Sequence, residues 1–95
     1  MRKIERYSLL LARQQTVSIP QGATIQCLRM ESGAPALYLR IDPTKPMETA
    51  NIRGFLTGEM LPDLPGYSLG TVGQLPQIWH MFMHVPGWCG YDVIE

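Results

Sequence analysis

The stretch from Pro76 to Pro86, PQIWHMFMHVP, constrains the chain more than any other. Nine residues lie between the prolines, long enough for one strand and short for an amphipathic helix, and Gly73 and Gly87 mark boundaries beyond them. Read as a strand, Ile78, His80, Phe82 and His84 point one way and Trp79, Met81, Met83 and Val85 the other. Both faces carry bulk, so the strand is expected at the centre of its sheet and covered above and below. Three sources of the second cover are open: another sheet, the tail Gly87 to Glu95, or a second subunit.

The rest of the chain reads as short strands broken by Gly and Pro. Ile4 to Ala12 offers Tyr7, Leu9 and Leu11 on one side of an extended segment, with Arg6, Ser8 and Leu10 on the other; a short helix also fits, through Tyr7, Leu10, Leu11 and Gln14. Thr16 to Ile19 is β-branched, with Val17 and Ile19 inward, and stops at Pro20-Gln21-Gly22. Thr24 to Met30 and Pro35 to Ile41 form a hairpin across Glu31-Ser32-Gly33-Ala34, with glycine supplying the positive φ. Its inward residues are Leu28 and Met30 on one arm and Leu37, Leu39 and Ile41 on the other, leaving Ala36, Tyr38 and Arg40 outward. Pro43 and Pro46 break the second arm, since neither can donate to a ladder. Thr49 to Thr57 is extended again, with Gly54 a bulge or a point of close approach; a proline-rich connection follows, then a strand from Tyr67 to Val72. Seven short strands at this spacing predict an all-β fold, a small antiparallel β-sandwich or barrel. The 95 residues make a single β domain, with 85–95 a C-terminal extension.

Composition narrows the function classes. Hydrophobic content of 45% describes a folded globular chain, and eight acidic residues balance eight basic ones. A grip on nucleic acid through phosphate normally needs a basic surplus, so nucleic acid is not the expected partner despite the local cluster Arg2, Lys3 and Arg6. The apolar run Leu9 to Ala12 is too short for a secretion signal, and no window reaches the ~20 apolar residues of a membrane helix. The expectation is a soluble protein of the cytoplasm. Two cysteines, Cys27 and Cys89, make no disulfide framework and are expected as free, buried thiols.

No catalytic constellation, metal site or cofactor motif emerges. His80 and His84 would share one face of a strand but stand about 13 Å apart at ~3.3 Å per residue, too far for one ion held by bonds of ~2.1 Å. Cys27 falls in a strand and Cys89 in a glycine-flanked tail, with no elbow motif to activate a nucleophile. Gly54 to Gly58 and Gly66 to Gly70 lack the lysine and helix of a phosphate loop. The chain does not read as an enzyme. The more informative residues are Tyr38 with Arg40, Arg53 with Phe55, and Trp79 on the far side of the central strand, which together suggest a flat apolar and basic patch. They serve equally as an interface or as a second small core, with Trp88 and Tyr91 as its cover.

The chain also resembles a family of short, uncharacterised bacteriophage and prophage proteins. The carriers, spread from about Ile4 to His84, are Gln15 to Ala23, Gly33-Ala34-Pro35, Ile41-Asp42-Pro43, Thr57-Gly58, Leu61-Pro62-Asp63, Gly70-Thr71-Val72 and Ile78 to Phe82. The resemblance implies no catalytic residues. It implies a non-enzymatic binding protein that interferes with a host process such as antiviral defence; because a 95-residue monomer has little concave volume, a homo-oligomer packed across the Trp79 face is expected to create the burial and the pockets. The partner would be a host protein or a small, nucleotide-like signalling molecule, with Arg40 and Arg53 as anion contacts. The alternative is a structural or assembly component of the phage particle.

Overall fold

The computed structural model describes residues 1–85. Among them are seven strands: β1 (Lys3–Ser8), β2 (Gln14–Pro20), β3 (Thr24–Glu31), β4 (Ala34–Ile41), β5 (Met47–Leu56), β6 (Tyr67–Gln74) and β7 (Gln77–His84). They form two antiparallel sheets, ordered β1-β4-β3 and β2-β5-β7-β6. The fold is therefore a sandwich, not a closed barrel.

The three-stranded sheet is built on the β3–β4 hairpin. Its turn is tighter than the sequence suggested, because Glu31 pairs with Ala34 and only Ser32 and Gly33 lie between. Both turn residues have positive φ, 52° and 83°, the requirement of a two-residue turn that matches strand twist. Leu37, Leu39 and Ile41 face the other sheet and are buried, and Leu28 and Met30 pack against them, as the alternation predicts. Ala36 departs from that pattern. It was expected outward, yet it is fully buried between its register partners Ser8 and Arg29.

Extended conformation wins over helix at the start of the chain. Lys3 to Ser8 pairs with β4, and Tyr7 packs against the core. The strand ends earlier than an extended reading to Ala12 requires. Leu9 is buried with its amide donating to the Pro35 carbonyl at 3.0 Å, whereas Leu11, expected inward, is 39% exposed. The segment that follows carries the chain across to the second sheet.

In that sheet β7 lies between β5 and β6, the central position its two bulky faces predict. Both neighbours run antiparallel to β7 and hence parallel to each other. Parallel strands need a crossover, so the connection 57–66 must carry the chain back along the sheet past β7. It does so across the outer side, where Leu61 borders one groove with Phe55, His80 and Phe82. Gly66 then arrives so close to β7 that a Cβ there would sit 2.6 Å from the Met83 carbonyl oxygen. This strap is the second cover of the central strand, so among the three sources left open it is none that was named. The first cover is the other sheet.

Met81, Met83 and Val85 are fully buried between the sheets with Ile52, Leu37 and Leu39. Trp79 lies on the same inner face and packs against this core, with the Arg13 guanidinium 5.7 Å from its ring centroid. Beside it Gly54, the register partner of Met81, has no room for a side chain, since a Cβ would meet the Ala12 carbonyl oxygen at 2.5 Å and the Trp79 ring at 2.9 Å. Close approach, not a bulge, explains that glycine.

Candidate functional site

The sandwich has two outer faces, and the residues singled out in the sequence divide between them. Tyr38 and Arg40 stand on the outer face of β4, in the three-stranded sheet. Arg53 and Phe55 stand on the outer face of β5, in the four-stranded sheet, on the far side of the molecule. Trp79 is half-buried on the inner side of β7, where it packs against the core. The structure therefore does not bring these residues together in one continuous patch. Trp88, Tyr91 and Cys89 lie outside the described residues.

Arg53 and Phe55 do come together with other side chains. In register, Arg53 faces Phe82 and Phe55 faces His80 across the β5–β7 ladder. The Phe55 and Phe82 rings meet edge to face, 5.9 Å between centroids and 71° between planes, the geometry aromatic quadrupoles favour. Phe82 is nearly buried, while Phe55 and Arg53 keep partial exposure. His80 Nε2 lies 2.7 Å from the Thr57 hydroxyl, which fixes the imidazole against the start of the strap. Phe55, Thr57, His80 and Phe82, together with Leu56, Gly58, Glu59 and Leu61, border a groove of about 200 Å³.

The strap owes its shape to Glu59. The Glu59 amide donates to the Leu56 carbonyl at 3.1 Å, closing a turn in which Gly58 has φ +95°. Its carboxylate accepts from the Leu56 amide at 2.6 Å and from Arg13 Nη1 at 2.7 Å. Those bonds, the Leu56 amide first and Arg13 next, hold the Glu59 carboxyl below its ordinary range. Met60 and Leu64 project from the strap into solvent, 91% and 62% exposed, and Leu75 does so from the β6–β7 turn at 85%.

The opposite outer face is polar. Tyr38 donates its hydroxyl to Glu31, and Arg6 Nε donates to the same carboxylate at 2.8 Å. The Tyr38 bond first, then Arg6, holds the Glu31 carboxyl below its ordinary range; reciprocally, Glu31 pushes the Tyr38 hydroxyl up. Arg29 lies 3.4 Å from Glu31, and Arg40 reaches the Ile25 carbonyl at 3.4 Å. Cys27, the register partner of Tyr38, is a free and exposed thiol, contrary to the expected burial. A one-residue shift in the β3–β4 register at Gln26 puts Ile25 inward and leaves Cys27 on the outside.

Among the described residues no three His, Cys, Asp or Glu side chains are grouped as metal ligands. No helix among them is long and apolar enough to cross a membrane. Reading the sequence missed Thr57, Glu59 and Leu61 as neighbours of Phe55, because they reach it only through the crossover. It also missed Arg6, Arg29 and Glu31 as neighbours of Tyr38, although strict alternation along β1 and β3 could have placed them there.

These features define a class: a two-sheet antiparallel β domain whose one outer face is strapped and aromatic and whose other is rich in arginine. The chain belongs to the DUF7352 family, a domain of unknown function, matched over residues 1–87. No match to a curated protein or to a solved structure was found.

Proposed function

We propose that the protein is a small phage-encoded binding protein without catalytic activity, which acts by engaging a host protein and so interferes with a host process such as antiviral defence. The observation that carries the binding role is the groove beside Phe55, where an aromatic pair and a fixed imidazole line the outside of a sheet, with Arg53 facing Phe82 in register next to it. Aromatic residues and arginine are the types that anchor protein interfaces. The phage origin and the host target rest on the sequence resemblance.

The size of the groove beside Phe55 favours a protein partner there; a wider hollow of about 390 Å³, lined by Ala23, Ile25 and Tyr67, lies elsewhere. Pockets for small molecules usually enclose about 300–1,000 Å³. At about 200 Å³ the groove suits one aromatic or aliphatic side chain of a protein partner better than a whole nucleotide-like messenger. The particle component is the second reading, favoured by the exposed Met60, Leu64 and Leu75, which would pack between subunits.

The test compares the wild type with a Phe55→Ala, Arg53→Glu variant as bait in host lysate, with sedimentation run in parallel. A host protein retained by the wild type and released by the variant is the expected result. Equal retention by both removes the groove as the contact surface. Concentration-dependent association of the wild type alone, with no host protein retained, moves the assignment to the particle component.

A further inference from the structure

The second outer face holds a charge asymmetry that the neutral total conceals. Arg6, Arg29 and Arg40 take outward positions on the β1-β4-β3 sheet, and Arg2, just before β1, donates to the Gly22 and Arg40 carbonyls at 3.0 and 3.4 Å; the four are half of the chain's eight basic residues. Two carboxylates accompany them, one at each end. Glu31 is shared among Tyr38, Arg6 and Arg29 beside the hairpin turn. Asp42, just after β4, accepts from the Thr44 amide at 3.0 Å and its hydroxyl at 2.6 Å. The middle of the face and its Arg40 end keep a positive surplus.

The four cations are all arginines, whose planar fork matches a carboxylate better than a lysine does. Their spacing follows the sheet. Arg40 lies in one cross-strand row, Arg6 with Tyr38 in the next, and Arg29 with Ala36 in the third. Successive rows are two residues apart, roughly 6.6 Å at ~3.3 Å per residue. An extended peptide repeats its side chains at the same interval on one side, so alternate carboxylates meet successive rows.

We propose that this face docks an extended acidic protein segment, with Arg40 and Arg29 as its outer contacts and Tyr38 as the floor between them. It acts independently of the groove on the opposite side. Nucleic acid fits less well, because a strongly salt-dependent grip through phosphate draws on about 6–10 contacts and this face supplies four arginines, one of which, Arg2, is turned to the Gly22 and Arg40 carbonyls.

The test is fluorescence anisotropy with a labelled twelve-residue peptide of alternating Glu and Ser, at 50 mM salt. Arg40→Glu and Arg29→Glu are each expected to weaken binding at least tenfold. Lys45→Glu, the same charge change on the exposed β4–β5 loop, should leave it within about twofold. Circular dichroism melts establish that all three variants are folded. Absence of peptide binding by the wild type overturns the proposal, as does an equal loss with Lys45→Glu. Tighter binding of an oligothymidylate of twelve nucleotides also overturns it, in favour of nucleic acid.

Discussion

On one outer face, Tyr38, Glu31 and Arg6 hold one another at the water boundary; on the other, Phe82 is almost hidden beneath a proline-rich crossover. The two sheets share a core, so the contrast arises from connectivity. In the three-stranded sheet both ladders are antiparallel and β3 and β4 are joined by two residues, so neither ladder calls for a crossover over the outer side. In the four-stranded sheet β5 and β6 are parallel across β7, and their connection shields the middle strand. Apolar side chains are stable on the strapped side; charged ones suit the side that water reaches.

The comparison breaks most severely in the strand common to core and strap. Met83→Ala removes a fully buried side chain from β7 and is expected to cost about 2–5 kcal/mol, read from a urea transition, whereas Arg29→Ala on the exposed face should stay within about 0.5 kcal/mol. Similar losses for both would mean that the faces are not energetically distinct. Next comes Gly66→Ala. Its Cβ would press on the Met83 carbonyl in a backbone of φ +118°, for an expected cost of about 1–3 kcal/mol by the same measurement.

Acid probes both faces at once. Glu31 and Glu59 each titrate below the ordinary value of 4.5 in the folded chain. Their contribution is therefore complete above that value and disappears as pH falls through the lower folded pKa. Stability measured against pH should decline below about 4.5, and Glu59→Gln should flatten the decline by removing the strap's share. An unchanged profile in that variant would locate the acid sensitivity elsewhere.

Tyr38→Phe should have the smallest effect on stability and the most local one. It removes the largest influence on Glu31, so the Glu31 carboxyl should titrate closer to its ordinary value, while Glu59 on the other side stays where it was. Carbon-detected NMR of the two carboxyls reads both. A Glu31 titration that does not move would show that Arg6 and Arg29 set it without the tyrosine.

Much of this fold was legible in the residues. Val17 and Ile19, Leu37, Leu39 and Ile41, and the two-sided run Ile78 to Val85 declared strands by alternation and by bulk, and Gly33 declared a hairpin. The candidate site was legible only in fragments. Alternation says which residues share one face of one strand, but not which strands share a sheet or which side of a sheet meets its partner. Trp79 shows the consequence: the same alternation that placed it opposite Phe82 was silent on which of them would face the other sheet.

From its own sequence the chain settled that it would be built of short strands, that β7 would sit centrally and shielded, and where most turns would fall, because side-chain period and backbone limits act over a few residues. Tertiary structure decided that Phe55 would meet Phe82 and Leu61, that Arg53 and Arg40 would part to opposite sides, and that four arginines would gather on one sheet. Those outcomes depend on pairing between segments distant along the chain, and no local preference encodes the choice of partner.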